Sequence, residues 1–494
     1  MHLAGIGALL LATGSFVSAA SKNTKATTTS DAVLAVESPT WLPDFKIPSN
    51  VYTSYPTASP NITKKLSHAT LNLKDYPEPW GEPKVNHPEI KAVIKALDWT
   101  KVPKASVRKV SSGGDLVMKG YDADKDPDCW WSDSNCVKPK ASYLPEDIYM
   151  CPNAEDWGLN YDDGPLNPSD DDKELNKYAE PELYNFLAET KNQKATLFYI
   201  GSNVATYPEA ARRALNDGHV ICIHTWSHPQ MTSQTNEQVV AQLYWSLRAV
   251  KEATGVTPKC WRPPYGDVDD RVRAIAWQMG MRTIIWNGDT NDWDMPGDGG
   301  GNLSPKKVDG YFEGWIKERK AGKNKEGYVV LEHELNNATV KMTEKWLPKL
   351  QEVFNVNTIQ HCMNVSQPYW ETNWVYPTAA NPNPTSDNTT TIPADNSTAA
   401  ANSTAAANST ATVDEPNTTT IVLGTTGSPA PAAAPAATSA AESSAAPVAE
   451  SSTTDEAGAT TIPISNNKAD SAASSTTVGA ASFLAAAAVV SFIF

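Results

Sequence analysis

ATLFYIGSNVATYPEAARRALNDGHVICIHTWSH, residues 195–228, is the stretch that decides the fold. Two strand-like apolar runs, ATLFYI (195–200) and HVICI (219–223), bracket a helical pattern near 207–217. A strand, a helix and a second strand at this spacing predict parallel strands with the helix packed outside them.

The alternation continues in both directions. A helix near 180–192 precedes the first run, and CW (260–261) follows the helical EQVVAQLYWSLRAVKEATG. RTIIW (282–286) follows a helix near 269–280, and YVVLE (328–332) follows KKVDGYFEGWIKERKAG. VNTI (356–359) follows a helix near 340–352. The repeats predict an α/β domain over residues 146–365, a barrel either complete or missing a strand rather than a small open sheet.

Barrels of this kind gather their functional residues at the C-terminal ends of the strands. LNYDDGP (159–165) ends the first strand with Asp162 and Asp163, and HTWSH ends the HVICI strand with His224 and His228. RPPYG (262–266), NGDTNDW with Asp289, Asp292 and Trp293, and EHE with His333 end the next three. Taken alone, the first of these is an ordinary Asp-Gly-Pro turn. Five strand ends carrying polar groups to one rim are not explained that way.

Neighbouring residues on a strand face opposite sides, so Asp162 and Asp163 are expected to do different work. His224 and His228, four residues apart, present both imidazoles on one face of a helical turn or compact loop. Two histidines and one aspartate make a three-ligand metal site with open positions, the pattern of catalytic rather than structural zinc. Such a metal polarises a carbonyl and acidifies water. One aspartate of the pair then binds metal while the other is free as a base. His333 is suited to protonate a leaving group near neutral pH, and Arg262, on a loop stiffened by Pro263 and Pro264, orients the free aspartate. The chemistry is metal-assisted hydrolysis of an amide or ester.

In order, NYDDGP, HTWSH, RPPYG, DTNDW and LEH resemble the five motifs of the polysaccharide deacetylases, carbohydrate esterase family four. The likeness covers roughly residues 150–360, and the two ends resemble those of fungal chitin deacetylases that carry a glycosylphosphatidylinositol (GPI) anchor. The resemblance implies a distorted, incomplete (β/α) barrel. It implies Asp162 as general base, with Asp163, His224 and His228 holding one divalent metal ion, zinc or cobalt. It further implies that Arg262 orients the base, the Tyr265 backbone N–H donates to the oxyanion, and Asp292 tunes the acid His333. Trp293 and Leu331, with Tyr265, would contact substrate and line the acetyl-methyl pocket. Asn160-Tyr161 stands where the family's first motif usually reads Thr-Phe or Thr-Tyr. In similar fungal enzymes a disulfide closes the domain, which implies Cys151–Cys362. Cys222 and Cys260 sit on consecutive strands and can pair, with Cys129–Cys136 as a local loop.

The flanks look different. Residues 1–20 form an apolar run closed by small residues, as in a secretory signal peptide. Residues 21–145 are Pro-rich and irregular, with a helix expected at HPEIKAVIKALDW (87–99) and a CWWSDSNC loop whose Trp130 and Trp131 either pack or stack on ligand. Residues 378–477 are dominated by Ala, Ser, Thr, Asn and Pro, a composition that cannot offset its ordering entropy and reads as a stalk. Small residues near 467–473 followed by the apolar tail 478–494 read as a GPI attachment signal. Sequons at Asn61, Asn302, Asn337, Asn364, Asn388, Asn396, Asn402, Asn408 and Asn417 then read as glycosylation acceptors.

The six cysteines are an even number in a chain expected to be secreted, which favours disulfides. The formal charge of −15 argues against a nucleic-acid partner, because phosphates would find nothing to neutralise them. The expected protein is a monomer at the cell membrane or in the cell wall that removes N-acetyl groups from chitin or its oligomers, with cell-wall polysaccharide as its partner. O-deacetylation of xylan or another polymer, and a non-catalytic glycan-binding wall mannoprotein, are the competing expectations.

Overall fold

The computed structural model describes residues 39–167, 179–297 and 300–384. The signal segment, residues 385–477 of the stalk with Asn388, Asn396, Asn402, Asn408 and Asn417, the attachment region and the apolar tail lie outside the described residues. Among the described residues, no helix is long and apolar enough to cross a membrane.

Nine short strands are described: β1 (Asp156–Gly158), β2 (Asn160–Asp162), β3 (Thr196–Tyr199), β4 (Val220–Ile223), β5 (Cys260–Trp261), β6 (Arg282–Thr283), β7 (Gly288–Asp289), β8 (Val330–Leu331) and β9 (Asn355–Asn357). All their pairings are parallel: β2-β3-β4-β5-β6 form one sheet, β7-β8 a second and β1-β9 a third. An isolated parallel bridge, Asp162 to His333, links β2 to the residues following β8. This is the α/β architecture expected, with its ladder broken into segments.

The strands β3 and β4 are buried over their whole length because helices cover them. Helix Asn236–Thr254 is the largest cover. Thr235 accepts from the Gln238 N–H in a reciprocal capping box, and Gly255, at φ 77, ends the helix in the left-handed region. Its inner face buries Val239, Val240, Leu243, Leu247 and Val250, contributing roughly 1.5–3 kcal/mol per fully buried aliphatic side chain.

Most predicted strands come out shorter than expected; YVVLE is strand only over Val330–Leu331. RTIIW is strand only over Arg282–Thr283: β6 pairs with β5, and the next strand, β7, begins at Gly288 and pairs with β8. VNTI is strand only through Asn357, because the Thr358 side chain accepts from the His361 N–H and starts the short helix Ile359–Cys362.

The N-terminal extension packs against the α/β domain. Its helix runs Pro88–Ala96, ending three residues before the expected Trp99 because Leu97 is extended and Asp98 caps the separate turn Trp99–Lys101. Tyr76 stacks on Trp226 at 5.6 Å. Disulfides join Cys129–Cys136, Cys151–Cys362 and Cys222–Cys260. Asn61, Asn302 and Asn364 are exposed, while Asn337 is half-buried and opens the helix Asn337–Leu350.

Candidate active site and metal centre

The residues singled out at the strand ends converge. Asp162 closes β2 and Asp163 follows it in the left-handed region, φ 74, so the two carboxylates leave the strand in different directions. Asp163 is held there from behind: the Asn203 amide donates to its carbonyl at 2.8 Å. The next residue is glycine, and a Cβ on Gly164 would lie 1.6 Å from a Glu334 carboxylate oxygen, so any larger residue there displaces that side chain.

The HTWSH segment is a compact loop rather than a helical turn. Thr225 (φ 68) and His228 (φ 58) are both left-handed, and the Thr225 hydroxyl accepts from the His228 N–H at 3.1 Å. Gln242, on the covering helix, accepts from the Trp226 and Ser227 N–H groups at 3.0 Å each. The fold thus places the imidazoles 4.9 Å apart, ring centre to ring centre.

Asp163, His224 and His228 each turn one donor atom into a common space, all within 4.8 Å of one another. Asp163 Oδ1 lies 3.5 Å from His224 Nε2 and 3.4 Å from His228 Nε2. It is buried and, among the described residues, has no hydrogen-bond partner. The Nδ1 of His224 meets the Arg262 carbonyl at 2.8 Å, which assigns the proton to Nδ1 and leaves Nε2 a free lone pair. Burial pushes His224 well below its ordinary pKa, with His228 adding to the effect. Burial lowers His228 too, against the pull of Asp163. Two neutral imidazoles facing an orphaned carboxylate oxygen form the donor set that a borderline-soft divalent cation requires. The residues present therefore fit a metal ion.

Asp162 is in a separate network. Its Oδ1 accepts from Arg262 Nη1 at 2.7 Å, while its Oδ2 lies 3.7 Å from His224 Nε2. Burial raises Asp162 to about 6, opposed chiefly by Arg262 and then His333. Arg262 is wholly buried; its Nη2 and Nε donate to the carbonyls of Ile285 (3.0 Å) and Ile284 (3.3 Å), and it lies 3.9 Å over the Phe198 ring.

Asn160 belongs to this network, though the sequence offered only a departure from a motif. Its Oδ1 accepts from the same Arg262 Nη1 at 2.6 Å, and its Nδ2 donates to the carbonyls of Gly158 (2.7 Å) and Val330 (2.9 Å). The amide ties β1, β2 and β8 to the guanidinium.

On the opposite wall, Asp292 grips His333 twice, accepting from Nδ1 at 2.7 Å and from the backbone N–H at 3.0 Å. Burial lowers His333, but the Asp292 ion pair outweighs it and the imidazole is raised to about 10. Asp289 accepts from the Asn291 N–H at 2.7 Å, and burial raises it to about 6. Tyr265 is left-handed (φ 59), with its ring 4.7 Å from that of His228 and more than half exposed. Trp293 is half-exposed on the turn Asp292–Asp294. Leu331 is nearly buried, and its carbonyl accepts from the Thr290 hydroxyl at 2.7 Å. Trp130 is buried, whereas Trp131 is only partly so.

This arrangement can hold a cation, accept a proton at one carboxylate and deliver one from one imidazole. The family model described as polysaccharide deacetylase matches residues 150–284. A chitin deacetylase of Amylomyces rouxii is 41% identical over 315 residues, 63% of this chain and 71% of that protein. Chitin deacetylase 2 of Cryptococcus neoformans var. grubii is 41% identical over 281 residues, and there the chain spans 58% of the relative's length. The solved structure of the chitin deacetylase from Colletotrichum lindemuthianum aligns with 44% of this chain and 92% of its own at 25% identity, with a TM-score of 0.38. Strand-end motifs and relatives agree: the chain belongs to the polysaccharide deacetylase family of hydrolases.

Proposed function

We propose that this protein is a secreted, metal-dependent chitin deacetylase that hydrolyses N-acetyl groups of an N-acetylglucosamine polymer to chitosan and acetate in cell-wall biogenesis. The observation that carries the reading is one cluster in which the Asp163 oxygen, without a hydrogen-bond partner among the described residues, faces two imidazoles beside an Arg-held carboxylate and an Asp-held histidine. The chitin substrate is supported by the relatives that bear that name.

Asp163, His224 and His228 would hold the ion, zinc or cobalt. When bound, it supplies Lewis acidity toward the acetyl carbonyl and lowers the pKa of water. Asp162 accepts the proton of the attacking water at Oδ2, since Arg262 occupies Oδ1. The Tyr265 backbone N–H donates to the oxygen on which charge develops. His333, its Nδ1 committed to Asp292, gives its Nε2 proton to the departing amide nitrogen, so that amine and acetate leave together. Trp293 and Leu331 line the pocket for the acetyl methyl.

Residues 1–20 direct secretion, and the sequons carry glycans. Residues 378–477 act as a stalk leading to a GPI anchor near 467–473, holding the monomeric enzyme at the membrane or wall. The test is acetate release from chitin oligomers and from acetylated xylan, each with and without a chelator. Chelator-sensitive release from the oligomers supports the proposal. Release from xylan alone transfers it to an O-acetyl esterase, and release from neither overturns it.

A further inference from the structure

The disulfide Cys129–Cys136 closes a loop that precedes the family match, which begins at residue 150. The loop is pinned to the barrel at its base. Arg273, buried and paired with Asp147 at 2.7 Å, donates to the carbonyls of both cysteines, Cys129 at 2.6 Å and Cys136 at 2.7 Å. At its tip, the Trp131 N–H donates to the Val268 carbonyl at 3.0 Å.

Between these points sits Asp267, the residue that follows the turn Pro264–Gly266. Its fully buried carboxylate accepts from Trp130 Nε1 at 2.8 Å, Ser132 Oγ at 2.7 Å and the Thr232 N–H at 2.8 Å. The extension, the RPPYG loop and the segment after HTWSH therefore share one acceptor. A buried carboxylate with several donors is stabilising only while all of them stay in place.

Trp131 fills the space that any side chain at Gly266 would need. Gly266 is left-handed (φ +69), and a Cβ there would lie 2.3 Å from the Trp131 ring. The indole also meets Trp286 edge-on at 4.7 Å, and Trp286 lies 5.5 Å beneath the Arg262 guanidinium. Tyr265 is a non-glycine residue held in the left-handed region, a conformation that persists only where its surroundings enforce it. The Trp131 ring against Gly266 is part of those surroundings.

We propose that Trp131, carried by the extension rather than by the barrel, is a positioning residue of the active site: its indole fixes the Pro264–Gly266 turn, and with it the Tyr265 backbone beside His228. The inference rests on the deacetylase reading. A donor misplaced by about an ångström can cost on the order of a hundredfold in rate, and full loss of one oxyanion donor costs a hundred- to a thousandfold.

The experiment compares wild type, Trp131→Ala, Trp131→Phe and Gly266→Ala in the full chain, reading kcat and KM for acetate release from chitin oligomers alongside zinc affinity by calorimetry. Trp131→Ala is expected to lower kcat about 10- to 100-fold with KM changed less than about 3-fold and zinc affinity retained. Trp131→Phe, which keeps a ring against Gly266, restores most of kcat. Gly266→Ala, which forces a methyl into that ring, lowers kcat in the same way and carries the test if Trp131→Ala does not fold. Unaltered kcat in Trp131→Ala, or unaltered kcat in Gly266→Ala where only that variant folds, overturns the positioning role while leaving the deacetylase reading intact. So does a loss that moves KM and zinc affinity instead. A wild-type protein that releases no acetate overturns both.

Discussion

Asp162 and His333 are partners in a parallel β-bridge. The Asp162 N–H donates to the Glu332 carbonyl at 3.0 Å, and the Glu334 N–H donates to the Asp162 carbonyl at 3.1 Å. Backbone pairing thus sets the separation between the carboxylate on Arg262 and the imidazole on Asp292. Each charge favours the other: His333 lowers Asp162, and Asp162 raises His333. The two groups therefore favour opposite charges on neighbouring strand ends.

Replacing Asp162 with Asn removes the proposed proton acceptor and leaves the side chains of Asp163, His224 and His228 in place. Acetate release is expected to fall by about 10²- to 10⁴-fold, the usual contribution of a positioned base, while zinc still binds. Metal content and turnover measured on the same preparation check this; unchanged turnover removes the assignment.

Asp163→Asn replaces the carboxylate oxygen that faces both imidazoles with a neutral amide oxygen. Metal affinity measured by calorimetry should drop by at least about tenfold. Because the ion binds the folded state, zinc at about 100 times its dissociation constant should stabilise the wild type by about 2.7 kcal/mol. Thermal unfolding of the wild type should therefore shift upward with zinc, and that of the variant should shift less at the same concentration.

The pH dependence turns on Asp292. His333 is raised from 6.5 to about 10 because its ion pair with Asp292 outweighs burial. A group raised in this way stabilises the fold in full below pH 6.5 and loses that contribution as pH climbs through about 10. In Asp292→Asn burial acts without that ion pair. The alkaline limb of kcat/KM should move to lower pH by more than about one unit, and the stability deficit against wild type should be largest below pH 6.5 and shrink toward pH 10. Parallel pH–rate and pH–melting series decide it.

Asn160→Leu deprives Arg262 Nη1 of one of its two acceptors and removes the two donations to Gly158 and Val330. A buried group left without its partner costs about 1–3 kcal/mol, so urea unfolding should show a loss of that order. kcat should fall with it, because one of the two contacts that align Arg262 Nη1 with Asp162 is gone. Asn160→Thr, which keeps an oxygen near Nη1, should recover part of both.

Much was legible in the chain alone. Alternating apolar runs and helical patterns announced parallel strands, because a strand covered on both faces must be apolar throughout and a crossover helix must bury one stripe. The paired aspartates, HxxxH, RPPYG, DTNDW and LEH marked the strand ends, since side-chain chemistry at fixed spacing is a local property. Tertiary structure decided what lies between those segments. Asn160 joined the arginine network, Gln242 came across from a covering helix to hold the HTWSH loop, and Trp131 came from the extension to rest on Gly266. None of these follows from spacing, because each depends on two segments whose relative placement is fixed by the packing of a shared core.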